Sequence, residues 1–222
     1  VAEAHFLDAY NAGRLHHAWL LHGPKGVGKA TFAYRAARFL LADEKEETGG
    51  LFGADAPPTS LDRSPDDPAC RRVVAGSHAD LFVAEPDKPG KQIPAEAART
   101  MIQSFHLTAG EGAWRIAIID AADDLHRSAA NILLKLIEEP PKRTVLFLIS
   151  HNPGRLLPTI RSRCTRLAFE PITDTSVAHI LAVRRPEAMP DDMAAAIRLA
   201  GGSAGRALAL LDGGGAATVV AL

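Results

Sequence analysis

The feature that most constrains the fold is a glycine-rich loop between an apolar run and a helical pattern. The run Ala18–His22, AWLLH, is short, continuous and apolar, which is typical of a buried strand. The loop GPKGVGKA follows it directly. The next segment, KATFAYRAARFLLA, has Phe32, Ala36, Phe39 and Leu40 at helical spacing. Strand, glycine loop and helix in this order are the structural context of a phosphate-binding loop.

The residue types of this loop suit phosphate oxygens. Glycines at three positions allow backbone N–H groups to close around an anion, and the lysine supplies a charge for the β- and γ-phosphates. The N-terminus of the helix adds a favourable dipole. A glycine turn with a solvated lysine is the alternative, but the flanking strand and helix favour the phosphate loop. The residues expected to contact a nucleotide or phosphate are Gly23, Pro24, Gly26, Val27, Gly28, Lys29, Ala30 and Thr31.

Two residues that ATP hydrolysis requires are missing from the sequence. Ser or Thr normally follows the lysine and holds Mg²⁺, whereas Ala30 has no oxygen and Thr31 points roughly 100° away on a helix. The segment IAIIDAADDL has Asp120 where a Walker B carboxylate belongs, but Ala121 replaces the Glu that polarises water in hydrolysing relatives. A strand end with solvated acids is the alternative for these carboxylates. We expect ATP, ADP or phosphate at a degenerate loop, with ATP turnover lost or very weak.

Apolar strands alternate with helical patterns over most of the chain. The segments DLFVAEP, WRIAIIDAADDL, TVLFLIS and TRLAFEPI are strand-like. The segments AEAHFLDAYNAGRLHHA, PAEAARTMIQSFHLTA and SAANILLKLIEEPP are helix-like, and Ser128 is a candidate cap for the last of them. This alternation predicts an α/β fold, a parallel sheet with helices on both faces.

The sequence predicts two domains. Residues 1–170 form an α/β nucleotide-binding-like domain, interrupted by a flexible surface insertion at 43–72 that is rich in Asp, Glu, Gly and Pro. Residues 171–222 contain only helical patterns, which predict a small helical lid domain. The chain opens inside a helical pattern and ends in a new apolar segment, so we expect both ends to be cut from something longer.

Composition narrows the classes of function. Hydrophobic residues make up 47% of 222 residues, enough for a core, and a net charge of −1 gives no general attraction to nucleic acid. Cys70 and Cys164 are far apart, so a disulfide scaffold is not expected and a reducing cytoplasm is the natural setting. No apolar run reaches the ~20 residues needed to span a bilayer.

Three downstream segments, with the loop, carry a family resemblance. NILLKLIEEPP, ISHNPGRLLPTIRSRC and GGSAGRALALL resemble bacterial clamp-loader AAA+ subunits, and among these the delta-prime family of DNA polymerase III. The resemblance spans nearly the whole chain, and EEPP and RSRC are specific to clamp loaders. It implies an AAA+ P-loop NTPase-like fold and a function in ATP-dependent loading of the sliding clamp on primed DNA.

The resemblance also implies roles for individual residues. Arg163 corresponds to an arginine finger that reaches ATP on a neighbouring subunit, where a rigid, permanently charged fork suits phosphate. Asn152 lies in the sensor-1 region, and Arg206 lies at the sensor-2 position. Without the resemblance, Arg163 would be interpreted as a surface arginine. Neighbouring arginines for which DNA contact stays open are Arg155, Arg161 and Arg166.

The implied partners are the other clamp-loader subunits in a hetero-oligomer, the sliding clamp indirectly, and primer-template DNA through the complex, with no membrane. Many clamp-loader subunits carry a four-cysteine zinc module after the first helix. This chain has only Cys70 in that insertion, so we expect no zinc and no other metal site. The collar domain expected after the lid is absent from this chain, and we therefore expect a monomer or weak association in isolation.

Three alternatives stay open at the level of sequence. A catalytically active ATPase of the gamma/tau type has the same fold, and Ala30 and Ala121 argue against it. A small-molecule P-loop kinase would leave EEPP and RSRC unexplained. A Holliday-junction motor shares the fold but is a weaker match.

Overall fold

The computed structural model describes residues 1–42, 57–88, 90–106 and 114–213. The chain divides into two compact units. The first comprises Val1–His22 with Ala30–Leu167, and the second comprises Gly23–Lys29 with Ala168–Leu222. The division falls near the predicted domain boundary at residue 170, but it groups the glycine loop with the C-terminal unit, which the sequence did not predict.

The chain forms one five-stranded sheet in its described part. The strands are β1 (Ala18–His22), β2 (Leu81–Ala84), β3 (Arg115–Asp120), β4 (Thr144–Ser150) and β5 (Thr165–Ala168). The helices up to β5 are α1 (Ala2–Asn11), α2 (Lys29–Leu41), α3 (Pro68–Val74), α4 (Ala95–His106), α5 (Arg127–Glu138) and α6 (Pro158–Arg161). Short 3-10 turns lie at Ala122–Asp124 and Pro153–Arg155.

The strand order is β2-β3-β4-β1-β5, and the β1–β4, β3–β4 and β2–β3 pairs are parallel. Strand β4 lies at the centre, and all seven of its residues are buried. A strand buried on both faces needs apolar residues at every position, which is why TVLFLIS shows no alternation. The predicted parallel sheet is confirmed.

One face of the sheet packs against α4 and α5. Leu20 and Leu148 belong to a buried cluster with Met101 of α4 and Leu133 of α5. The apolar positions of α5 recur at helical spacing, so the helix presents one continuous face to the sheet.

The opposite face packs against α1 and α2 through aromatic rings. The ring centroid of Phe6 lies 5.2 Å from that of Trp19 and 5.9 Å from that of Phe147, and Phe32 also contacts Phe147. Rings at these spacings add to the free energy gained by burial. Helices therefore cover both faces of the sheet, as predicted.

The predicted flexible insertion at 43–72 is wrong over its described part, residues 57–72. Leu61 is 1% exposed and Cys70 is 2% exposed. The Leu61 N–H donates to Glu3 at 2.8 Å, and Asp67 caps α3 by accepting from the Ala69 N–H. Asp followed by Pro is a helix-start signal, and it outweighs the polar composition here. Residues 43–56 lie outside the described part.

Two predicted helix details are also wrong. The first helix ends at Asn11, because Gly13 adopts a positive φ of 64° and the chain then turns toward β1. Helix α5 is capped by His126, whose Nδ1 accepts from the Ser128 N–H at 3.2 Å, so Ser128 is inside the helix.

The second unit contains α7 (Asp174–Arg184), α8 (Pro190–Ala200) and α9 (Ala204–Asp212) in its described part. The three helices pack through a small cluster that includes Val177, Leu181, Ala196 and Ala207. The predicted apolar segment at the end of the chain lies outside the described residues. No helix in the described ranges is both long and apolar enough to cross a bilayer.

Replacing Phe147 with Ala should lower the free energy of unfolding by about 3–5 kcal/mol, because the side chain is fully buried between two rings. Urea denaturation followed by tryptophan fluorescence measures this. Val74→Ala, at a residue that is 75% exposed, is the control and should change it by less than about 0.5 kcal/mol. Equal losses in both variants would contradict the described core.

Candidate functional site

The lysine of the glycine loop is directed back into the loop. Lys29 is the first residue of α2 and is 3% exposed. Its Nζ donates to the Gly23 carbonyl at 2.7 Å and to the Pro24 carbonyl. A buried ammonium needs such partners, because leaving water without them is costly. The ammonium is therefore held by carbonyl groups of the loop itself.

The N-terminus of α9 contacts the same loop within the second unit. The Ser203 hydroxyl donates to the Lys25 carbonyl at 2.9 Å, and the Gly205 N–H donates to the Gly26 carbonyl at 2.9 Å. Ser203 also caps α9, because its oxygen accepts from the Arg206 N–H at 3.1 Å. The loop is thus held by its own chain through two hydrogen bonds to a helix start.

This contact leaves no room for side chains at two glycines. A Cβ on Gly26, which has a φ of 80°, would lie 2.3 Å from the Ser203 oxygen. A Cβ on Gly205 would lie 2.9 Å from the Gly26 Cα. A Cβ atom essentially never comes within 3.0 Å of a non-bonded heavy atom, so packing alone favours glycine at both positions.

The loop has the residue types of a phosphate loop but offers no side-chain ligand for magnesium at residue 30. Lys29 and the glycine backbone are present, whereas Ala30 has no oxygen and Thr31 is exposed on the next position of the helix. Ala121 is 5% exposed, so a glutamate at that position would be buried. In the described ranges, no three His, Cys, Asp or Glu side chains are grouped closely enough to hold a metal.

Asp120 ends β3 in the first unit and lies near Tyr34, a residue that the sequence did not indicate as a candidate. Burial, followed by the nearby carboxylates of Glu85 and Asp120, raises the pKa of Tyr34. The phenol is therefore protonated at neutral pH and can donate a hydrogen bond. Its position on α2 follows only from the fold, since no motif contains it.

Asp123 fixes the turn that follows β4. Its carboxylate accepts from the Ser150 hydroxyl at 2.7 Å, from the His151 N–H, and from the Asn152 N–H at 3.1 Å. The Asn152 side chain in turn accepts from the Gly154 N–H at 3.2 Å. The structure therefore brings Asp123 and Asn152 together, although the sequence indicated only Asn152.

Arg163 is accessible, and its guanidinium has defined partners. Its Nη2 lies 3.1 Å from a carboxylate oxygen of Glu138, and its Nη1 donates to the Thr159 carbonyl at 3.2 Å. The Arg163 side chain is 42% exposed and that of Glu138 is 48% exposed. Glu138 is the last residue of α5 and belongs to the EEPP segment. The two clamp-loader-like segments thus meet in one ion pair.

Cys164, the residue after Arg163, is anchored in the core of the first unit. It packs against the buried cluster on the α4–α5 face, and burial raises the pKa of its thiol to about 12. The thiol is protonated at neutral pH, which suits a structural role rather than that of a nucleophile. Arg206, the expected sensor-2 residue, has an exposed side chain at the start of α9.

A P-loop, the sheet order β2-β3-β4-β1-β5 and a following three-helix unit define the AAA+ class of P-loop folds. A gamma-subunit-related protein of DNA polymerase III from Thermotoga maritima has a similar structure. The TM-score is 0.54 at 16% identity, and the match covers 80% of this chain and 49% of that one. At this identity the similarity concerns the fold alone.

The sequence comparisons identify the family. A family model described as DNA polymerase III, delta subunit, matches residues 2–173. DNA polymerase III subunit delta' of Pseudomonas aeruginosa is 36% identical over 84% of this chain and 53% of its own length. The Escherichia coli subunit delta' is 33% identical over 92% of this chain and 57% of its own length. The chain belongs to the DNA polymerase III delta-prime family and spans about half the length of these relatives.

Replacing Gly205 with Ala should destabilise the protein by about 1–3 kcal/mol, because the added methyl meets Gly26 at 2.9 Å. The sign of the change in the free energy of unfolding is decisive, since an unhindered Gly→Ala change in a helix stabilises a protein by up to about 1 kcal/mol. Urea denaturation of the full-length protein measures the change. A gain in stability would show that the loop and α9 are not in contact.

Nucleotide binding should be weak and independent of magnesium, because residue 30 offers no metal ligand. Calorimetric titration of ATP into the full-length protein, with and without Mg²⁺, measures this. Ala30→Ser should introduce a dependence on Mg²⁺, whereas the control Thr31→Ala should leave binding independent of Mg²⁺. Tight, Mg²⁺-dependent binding by the unaltered protein would contradict the assignment of residue 30.

Proposed function

We propose that the protein acts as a delta-prime-type subunit of the DNA polymerase III clamp loader. In this role it supports ATP-dependent loading of the sliding clamp on primed DNA, and it donates Arg163 in trans to ATP bound by a neighbouring subunit. Family membership supports the assignment to the polymerase complex. The observation that carries the role in trans is an accessible, oriented Arg163 in a chain whose own loop lacks a metal ligand.

The loop of this chain then has a structural rather than a catalytic role. Its lysine is bound by loop carbonyls, and its backbone is bound by the start of α9. Hydrolysis also needs a metal ligand and a water-polarising carboxylate, and Ala30 and Ala121 supply neither. The chemistry of the assembly is therefore assigned to ATP on other subunits.

The environment of Arg163 suits delivery to a neighbour. Its ion pair with Glu138 is exposed on both sides, and exposed pairs contribute only about 0–1 kcal/mol. A phosphoryl group in transfer carries far more negative charge than one carboxylate, and guanidinium binds such oxygens in a planar fork. Exchange of Glu138 for a partner's phosphate is therefore inexpensive, while Glu138 and Thr159 keep the guanidinium oriented beforehand.

The partners follow from this role. They are the other clamp-loader subunits in a hetero-oligomer, the sliding clamp through the assembly, and primer-template DNA through the complex. We assign this activity to the cytoplasm. The net charge of −1 supports DNA contact through the assembly rather than through a general basic surface of this chain.

The test is reconstitution of the full-length protein with the remaining clamp-loader subunits and the clamp from the same organism. Arg163→Ala should lower single-turnover ATP hydrolysis at the adjacent site by about 10³-fold, because arginine fingers contribute 10³–10⁵ to such rates. Clamp loading on primed DNA should fall with it. Assembly of the complex should be unchanged, since the side chain is exposed.

Arg166→Ala is the matched control, because Arg166 is also exposed and lies on β5 close by in sequence. It should leave single-turnover ATP hydrolysis at the adjacent site unchanged. Wild-type hydrolysis by the Arg163→Ala complex would refute donation in trans. Rapid ATP hydrolysis by the isolated full-length protein would instead favour a gamma/tau-type ATPase.

A further inference from the structure

A basic pocket in the first unit is lined by none of the residues that the glycine loop, Asp120 or Arg163 contribute to the candidate site. It has a volume of about 370 Å³ and lies between α2, residues 61–65 and α3. Four arginines line it against one aspartate. They are Arg35, Arg38, Arg63 and Arg71, with Asp62. This local excess of positive charge is unexpected in a chain with a net charge of −1.

Within the part of the chain that the structure describes, one of the four arginines has a carboxylate partner and three do not. Arg35 pairs with Glu3 at 3.1 Å and with Asp62 at 2.8 Å. Among the described residues, no carboxylate lies within ion-pair distance of Arg38, Arg63 or Arg71. The Arg63 guanidinium lies 4.2 Å from the centroid of the Phe39 ring, which fixes it in place. Clustered guanidiniums repel one another, so an anionic ligand would stabilise them.

The floor and rim of the pocket are apolar. Leu61 and Cys70 form the floor and are almost fully buried, whereas Val74 on the rim is 75% exposed. A ligand that contacts only the arginines would leave Val74 in water. The lining therefore fits a ligand that combines negative charge with apolar groups.

A second pocket continues the first across α2 and α3. It has a volume of about 330 Å³ and shares Arg38 and Val74 with the first. Its other lining residues are Thr31, Tyr34, Val73, Gly76, Leu81 and Val83, so this pocket adjoins the start of α2. We call the two pockets together the α2–α3 trough. It is basic at one end and mainly apolar at the other, which requires an elongated ligand.

We propose that the α2–α3 trough binds an extended acidic peptide segment of a partner protein. Carboxylates of the peptide pair with Arg38, Arg63 and Arg71, because guanidinium and carboxylate match as planar forks. Apolar side chains of the peptide cover Val74 and Leu81. Arginine clusters that receive acidic motifs are a recurring mode of peptide recognition. This proposal does not depend on the proposed role of Arg163.

A peptide fits the trough better than nucleic acid does. The apolar lining contributed by Val73, Val74 and Leu81 offers no partner to a phosphate or a sugar. A phosphate backbone could pair with the arginines but would leave the apolar end empty. A peptide can place a carboxylate on each free arginine and an apolar side chain beyond them.

The test uses a fluorescein-labelled synthetic peptide, EDEDLFVG, and fluorescence anisotropy with the full-length protein at low and physiological salt. The peptide should bind saturably. The matched peptide QNQNLFVG should bind at least about tenfold more weakly, since it offers no carboxylate for a charge-assisted hydrogen bond to the arginines. EDEDSSSG should also bind more weakly, because it cannot cover the apolar end.

Variants localise the binding. Arg71→Ala and Val74→Asp should each weaken binding of EDEDLFVG by about tenfold, without lowering the melting temperature, because both side chains are exposed. Arg14→Ala, at an exposed arginine after α1, is the control and should leave binding unchanged.

Three outcomes would overturn the proposal. The first is no saturable binding of EDEDLFVG, or binding that neither trough variant weakens. The second is that the protein binds a labelled oligodeoxythymidine but not the peptide, and that Arg71→Ala weakens binding of the oligonucleotide. This result would assign the trough to nucleic acid. The third is peptide binding seen only after deletion of residues 45–54, because the occupant would then belong to this chain.

Discussion

The architecture depends on the burial of β4 and its neighbour β1 on both faces. Seven consecutive buried residues in β4 cannot be covered by one layer of helices, so the chain must return to both sides of the sheet. The aromatic packing of Phe6 and Trp19 on one face, and the α4–α5 cluster on the other, satisfy this requirement. Parallel pairing then aligns the strand ends, so that Asp120 and the turn after Ser150 leave the sheet from the same edge.

The parts of the fold that were predictable from sequence have strong local patterns. The continuous apolar runs of β1 and β4 and the helical spacing in α5 indicated their elements directly. Residues 57–72 were mispredicted because their composition is acidic and proline-rich, and the burial of Leu61 and Cys70 is decided by single contacts with distant residues. A side chain such as His126 becomes a helix cap through local geometry, and residue-type preferences did not indicate it.

Residues of the candidate site could be predicted from the sequence only where they belong to a recognisable motif. Lys29 and Arg163 stand in recognisable segments, and the structure gives each a defined set of partners. Glu138 was not predicted as the partner of Arg163, because their meeting requires the end of α5 to lie beside the turn after α6. The contact of Gly26 with Gly205 joins residues that are far apart in the sequence, and no local pattern encodes such a pairing.

The contact between Gly26 and the start of α9 gives a reason for glycine at residue 26 that does not involve a ligand. In a chain that binds nucleotide, selection on residue 26 would act through the ligand. Here Ser203 occupies the space that a side chain at residue 26 would need, so selection for glycine would persist in a lineage that had stopped binding nucleotides. Packing against a neighbouring helix can therefore conserve a phosphate-loop sequence pattern after nucleotide binding has been lost. Tolerance to substitution at Gly26 therefore measures packing against Ser203 whether or not a ligand binds.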